Sequence, residues 1–111
     1  MYASVGTMTK TNGTDAAKQE LIEGMKMDAS VVCMADHFSW VAVRFMPDGT
    51  RSVGETLYGQ NADNLKRHVR EMWFPACMCT KKKLYVVICH NASPVFYCLP
   101  PTTNRIKWEW A

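Results

Sequence analysis

The stretch that decides the fold is residues 38–46, Phe-Ser-Trp-Val-Ala-Val-Arg-Phe-Met. Apolar residues occupy consecutive positions there, which is typical of an interior strand with both faces covered. The next residues, Pro47-Asp48-Gly49, favour a turn, because proline presets φ and glycine accepts a positive φ. Thr50–Leu57 then predicts a returning strand that is polar enough to lie near an edge. The sequence therefore predicts a β-hairpin around this turn.

Five further segments have the composition or the alternation of strands. They are residues 30–35, 76–80, 84–89, 95–99 and 105–110. Residues 84–89 are apolar throughout and predict a buried strand, and residues 91–94 predict the turn that follows it. In the last segment Ile106, Trp108 and Trp110 alternate with charged residues. This alternation predicts a half-buried final strand at an edge of the sheet.

Two segments have the spacing of amphipathic helices. Thr14–Met27 repeats apolar residues at four-residue intervals, and Asn61–Phe74 follows the capping residue Asn61. Pro75 is expected to end this second helix. Its core-facing stripe is predicted to consist of Leu65, Val69, Met72 and Trp73.

Together these elements predict an α+β fold, with a single antiparallel β-sheet and two helices packed on one face. Residues 1–13, rich in Ser, Thr, Gly and Asn, are expected to form a flexible N-terminal tail. Residues 14–111 are expected to form a single α+β domain, because a chain of 111 residues has the length of one domain.

Composition limits the classes of protein that fit. No apolar run approaches the roughly 20 residues needed to span a bilayer, so no membrane partner is expected. The five cysteines are an odd number, and no secretory signal is predicted. Reduced thiols inside a cell, and hence a cytoplasmic protein, are the expectation.

The aromatic and charged residues near the C-terminus form the first candidate site. Trp108 and Trp110, with Lys107 and Arg105, are predicted to bind another protein or a nucleoprotein complex, because tryptophan is enriched at interfaces. The edge strand that carries them could also pair with a second copy and form a homodimer. By analogy with small phage and mobile-element proteins, an inhibitor of a host system is one expectation for such a module.

The uneven charge supports an alternative, a nucleic-acid-binding domain. Residues 1–55 have a net charge of −2, and residues 56–111 have a net charge of +5. Basic side chains in the second half are suited to phosphate contacts. The candidates are Lys66, Arg67 and Arg70 on the second helix and Lys81, Lys82 and Lys83 after it.

A Cys/His hydrolase is a third alternative. Residues 36–43 resemble the strand that carries the catalytic histidine of papain-like peptidases. The resemblance covers eight residues and would pair Cys33 with His37. In that family the cysteine lies at a helix N-terminus, whereas Cys33 is expected on a strand, where no helix dipole lowers its pKa. The sequence therefore predicts a protein that is not an enzyme.

A zinc-binding domain is the remaining possibility. Its candidate ligands are Cys77, Cys79, Cys89 and His90. On a strand, Cys77 and Cys79 would direct both thiols to one face. Their spacing does not match the knuckles of structural zinc sites, so no cofactor is expected.

Overall fold

The computed structural model describes residues 13–36, 39–101 and 105–111. Its strands are β1 (Trp40–Phe45), β2 (Val53–Gly59), β3 (Tyr85–His90), β4 (Ser93–Cys98) and β5 (Glu109–Trp110). Helix α1 spans Gly13–Asp36. Helix α2 is continuous and consists of an α-helical segment, a π-helical turn and a second α-helical segment: Ala62–His68, Val69–Trp73 and Phe74–Thr80.

The five strands form one antiparallel sheet in the order β2-β1-β3-β4-β5. The predicted hairpin is confirmed, since β1 pairs with β2 and Ala42 lies opposite Leu57. β2 lies at an edge, as its polar composition predicts. The β3–β4 turn has positive φ at Asn91 and Ala92, 53° and 68°, the backbone twist that two-residue hairpins favour. The α+β class and the antiparallel sheet are thus confirmed.

The two helices cover opposite faces of the sheet, and the prediction that they share one face is wrong. Helix α1 contributes Met25, Ala29 and Cys33 to a core with Val41 and Val87. On the other face, α2 packs with the neighbouring strand residues Ala42, Val86 and Ile88. Consecutive apolar residues in β1 and β3 require this arrangement, because successive side chains of a strand point to opposite faces.

Helix α1 is longer than predicted, and the strand expected at residues 30–35 is helical. Ala29 and Cys33 continue the four-residue spacing of Met25, and all three are buried. The Ser30 hydroxyl donates to the Ala92 carbonyl at 2.6 Å, which ties this part of the helix to the β3–β4 turn. Packing against the sheet therefore outweighs the β propensity of the valines in this segment.

Helix α2 begins as predicted, but it does not end at Pro75. The Asn61 side chain accepts a hydrogen bond from the Asn64 N–H at 2.9 Å and caps the helix. The helix then continues to Thr80, so the strand expected at residues 76–80 is absent. Pro75 is the second residue after the π-helical turn, where the regular hydrogen-bond ladder is already interrupted and a missing N–H is tolerated.

The π-helical turn also changes the buried stripe of α2. Leu65, Val69, Trp73 and Cys77 are buried at strict four-residue spacing, whereas Met72 is 59% exposed. In a regular α-helix each four-residue step rotates about 40° past a full turn. The π-helical turn is wider and rotates less per residue, so it offsets this rotation. The four side chains therefore keep facing the sheet. The prediction of Met72 as a core residue is therefore wrong.

The predicted final strand is shorter than expected, since only Glu109 and Trp110 pair with β4. The predicted alternation of its side chains between the two faces of the sheet is nevertheless observed. Ile106 and Trp108 pack on the α2 side of the sheet, while Lys107 and Glu109 line a groove on the α1 side. No described helix is both long and apolar enough to cross a membrane. Residues 1–12 of the predicted tail lie outside the described residues, and Gly13 begins α1.

Candidate interaction surface

An aromatic patch lies where the flank of α2 meets the β4–β5 edge; it consists of Lys66, Phe96, Trp108 and Trp110. The Lys66 Nζ atom lies 3.6 Å from the centroid of the Phe96 ring and 5.9 Å from that of Trp108. The Phe96 and Trp110 rings are 4.6 Å apart and tilted by 39°. The patch thus combines a cation with three aromatic rings.

Sheet register and helix phase together position these side chains. Phe96 lies directly opposite Trp110 in the β4–β5 ladder, so both rings leave the same face. Lys66 follows the buried Leu65, and a step of one residue rotates its side chain about 100° from the core toward the flank of the helix. From that flank its long aliphatic stem reaches the rings of β4 and of the C-terminal segment.

Burial differs sharply between the two tryptophans. Trp108 is half-buried and packs against the α2 core. Trp110 remains 75% exposed although its ring contacts Phe96. Trp108 therefore supports the patch, and Trp110 is the side chain that a partner could cover.

A second aromatic pair lies on the same face of the sheet. Trp40 and His90 are directly opposite in the β1–β3 ladder, and their rings stack with centroids 4.3 Å apart. Trp40 also packs against the α2 core. The imidazole of His90 is thus part of a ring stack at the end of β3.

The structure separates the charged and aromatic members of the predicted C-terminal site. Arg105 and Lys107 lie on the α1 side of the sheet, in a groove of about 670 Å³ that also includes Lys18 and Tyr97. Lys107 forms an ion pair with Glu109 at 3.4 Å. Trp108 and Trp110, by contrast, lie on the α2 side. A single flat partner cannot cover all four predicted residues.

The predicted nucleic-acid-binding residues are also divided. Lys66 joins the aromatic patch, whereas Arg67 donates to the Asn64 side chain at 2.7 Å and Arg70 lies 3.7 Å from Glu71. Lys81 lies fifteen residues beyond Lys66 and eleven beyond Arg70, which is roughly 22 Å and 16 Å along the helix axis. The two basic groups are therefore separate.

A small cavity lies beside the second basic group. Lys82 and Lys83 line a space of about 160 Å³ together with Arg44. Arg44 is bound to Glu55 at 2.8 Å, which offsets part of the local positive charge. Lys81–Lys83 also follow the C-terminus of α2, where cations stabilise the helix dipole.

The four zinc candidates do not converge. Cys77 and Cys79 lie on a helix rather than a strand, about 200° apart around its axis, so Cys77 is buried and Cys79 is exposed. Cys89 packs in the core on the opposite face of the sheet. Within residues 13–36, 39–101 and 105–111, no three side chains are grouped as metal ligands.

Cys33 lies near the C-terminus of α1, not on a strand as expected. The helix dipole disfavours a thiolate at that end, and the side chain is buried. A hydrogen bond with the Cys33 thiol, together with burial, raises the pKa of Cys89. His37 lies outside the described residues. The described part of the proposed Cys/His pair therefore lacks the features of an activated nucleophile.

Comparison with known proteins adds no relative: no family model, curated protein or solved structure matches the chain. The aromatic patch is defined by geometry alone. Sequence reasoning missed Phe96, because its role depends on which strand pairs with the C-terminal segment. The available signal was an aromatic residue in each of two predicted strands, Phe96 in residues 95–99 and Trp108 and Trp110 in residues 105–110.

Proposed function

We propose that the chain is a non-enzymatic interaction module that binds another protein through the aromatic patch. The observation that carries this proposal is the 75% exposure of Trp110 next to Phe96. Truncation of an interface tryptophan commonly costs about 2 kcal/mol or more of binding free energy. A tryptophan that is already held by a neighbouring ring also loses little conformational entropy when a partner covers it.

The surroundings of Trp110 support a protein partner. Lys66 places a positive charge beside the rings, where a partner carboxylate could approach it. Trp108 provides a half-buried base that packs on the core and holds the patch rigid. A protein or the protein part of a nucleoprotein complex fits this combination of an apolar anchor and a charged rim.

We place the module in the cytoplasm. None of its five cysteines forms a disulfide in the structure, and four of them are buried in the two cores as small apolar side chains. Buried cysteines outside any disulfide are typical of a protein from a reducing compartment rather than of a secreted protein held by disulfides.

A comparative pull-down tests the protein-binding proposal. Wild-type protein, Trp110→Ala and the control Met72→Ala serve as baits in lysate of the cells that produce the chain. Met72 is exposed on α2, outside the patch. We expect a specific protein to be retained by wild type and by Met72→Ala, with at least about tenfold loss for Trp110→Ala, or about 1.4 kcal/mol. Equal retention by all three baits would contradict the proposal.

Single-stranded nucleic acid is a second candidate, favoured by the position of Lys66 beside the rings of Phe96 and Trp108. Bases stack on exposed aromatic faces, and a nearby cation binds phosphate. Fluorescence anisotropy with a labelled oligonucleotide across a salt series tests it. A steep fall of affinity with salt that Lys66→Met weakens would favour nucleic acid. If the oligonucleotide does not bind measurably at low salt, nucleic acid is excluded and a protein partner is the remaining candidate.

A further inference from the structure

The outer edge of β2 is the longest sheet edge that no other described strand covers. β2 and β5 lie at the two ends of the sheet, and β2 spans seven residues while β5 spans two. Natural edge strands are usually protected by charged side chains such as lysine, by proline, by β-bulges or by short length. β2 contains neither residue, and its one charged side chain, Glu55, is bound by Arg44 at 2.8 Å.

The backbone direction along this edge follows from the neighbouring ladder. Alternate residues of a strand direct their N–H and C=O groups to opposite neighbours. The Asn91 N–H donates to the Ser39 carbonyl at 2.7 Å, so Ser39 faces β3 and Ala42, three residues on, faces β2. Its partner Leu57 therefore faces β1. Thr56, one residue earlier, directs its N–H and C=O groups to the outer side.

The regular part of the edge is limited by a bulge. The register between β1 and β2 shifts at Arg44/Phe45, which leaves Gly54 as the extra residue. From Glu55 to Gly59 the ladder is uninterrupted. These five residues have their centre at Leu57.

We infer that β2 pairs with β2 of a second copy, antiparallel and about a two-fold axis at Leu57. The two five-stranded sheets then become one continuous sheet. This inference goes beyond the proposed function, because the aromatic patch lies at the opposite end of the sheet. It uses a symmetric interface, the commonest kind among homodimers.

The side chains at this edge are complementary to themselves in that register. Leu57 meets Leu57 of the second copy, and Glu55 lies opposite Gly59 of that copy, so no like charges meet. Thr56 lies opposite Tyr58 of the second copy, a β-branched residue beside an aromatic one. The Tyr58 side chain is partly exposed, and its hydroxyl accepts a hydrogen bond from Thr56 within the chain at 3.5 Å.

Sedimentation of Thr56→Pro tests the pairing. We expect a wild-type mass of twice 12.6 kDa. Proline at position 56 removes an outward N–H and no bond to β1, so far-UV circular dichroism should remain unchanged. Loss of one hydrogen bond from each copy should raise the dimer dissociation constant on the order of 30-fold. Thr56→Val keeps the N–H and the branched side chain, and should remain dimeric.

Two cysteine variants test the β2–β2 pairing by cross-linking, even if Thr56→Pro does not fold. Both variants carry Cys79→Ser to remove the exposed native thiol. In Leu57→Cys the two Cα atoms lie about 4.5 Å apart across the axis, within disulfide range. In Gln60→Cys they lie roughly 20 Å apart. We expect oxidised glutathione to give a covalent dimer of Leu57→Cys alone.

Three results would overturn the inference. They are a wild-type monomer at all concentrations, unchanged association of a folded Thr56→Pro, and equal cross-linking of the two cysteine variants. Trp110→Ala distinguishes this inference from the proposed function. It removes the exposed tryptophan of the aromatic patch and should leave the dimer mass unchanged.

Discussion

The Lys66 ammonium group lies 3.6 Å above the Phe96 ring, and this contact joins α2 to β4. It also brings together two groups of residues that the sequence treats separately, the basic helix and the C-terminal tryptophans. The contact gives Lys66 a structural role in addition to any role in binding. Its removal should therefore affect the folded state in the absence of a partner.

Lys66→Met should lower the free energy of unfolding by about 0.5–1 kcal/mol, because methionine keeps an apolar stem but loses the cation–π attraction. Urea denaturation measures the change. Arg67→Met is the matched control, since Arg67 is exposed and contacts Asn64 rather than a ring. In a double-mutant cycle, Phe96→Leu should abolish most of the Lys66 effect. An equal effect of Lys66→Met in the Phe96→Leu background would exclude the ring contact as its cause.

The sequence predicts the two central strands better than the extent of the helices, for a physical reason. Apolar runs and turn residues around β1 and β3 are local signals, and both strands appear where these signals place them. Residues 30–35 carry β-branched side chains, yet burial of Cys33 in the α1 core makes them helical. Likewise the π-helical turn before Pro75 has no local signal in the sequence. Both errors reflect tertiary packing that overrides local propensity.

The candidate site is less predictable than the fold, since it depends on contacts between distant parts of the chain. The exposure of Trp110 and the half-burial of Trp108 follow from pairing with β4, and the alternation of residues 105–110 does not identify that partner strand. The placement of the two helices on one face is the wrong prediction that the sequence could have avoided. Consecutive apolar residues in β1 require a layer on each face of the sheet, so each face needs a helix.

Gly59→Ala should destabilise the fold, because its Cβ would lie 2.8 Å from Cδ2 of the buried Leu65. Overpacking at such a site costs about 1–3 kcal/mol. Gly24→Ala is the matched comparison, since its Cβ would meet the end of the long Arg51 side chain, which is bound to Asp28 at 2.9 Å on the surface, rather than a buried residue. On helix α1 the gain in helix propensity of up to about 1 kcal/mol should offset any weakening of this exposed ion pair, so stability should change little. Thermal denaturation of both variants measures the difference, and equal effects would contradict the close approach of Gly59 to Leu65.

Thiol-specific labelling under native conditions should modify one cysteine per chain. Cys79 is exposed on α2, and the other four cysteines are buried. A chromogenic disulfide reagent should therefore release one equivalent rapidly, none with Cys79→Ser, and five after denaturation of the wild type. Mass spectrometry of the labelled peptide identifies the residue. Rapid labelling of Cys33 would instead indicate an activated thiol and revive the hydrolase alternative.

Alkaline pH should destabilise the fold through Cys98. Burial raises the pKa of this thiol to about 12, so the folded state retains a proton that the unfolded chain releases. The sign follows from linkage: above the thiol's ordinary pKa the folded state binds more protons, so the free energy of unfolding falls as pH rises. One such group contributes a slope of up to about 1.4 kcal/mol per pH unit between about pH 9 and 12. Urea denaturation of wild type and Cys98→Ala across this range measures the slope, with stability at pH 7 as the reference for each protein. Cys98→Ala should show a smaller slope, and parallel pH profiles would exclude Cys98 as the source of the alkaline sensitivity.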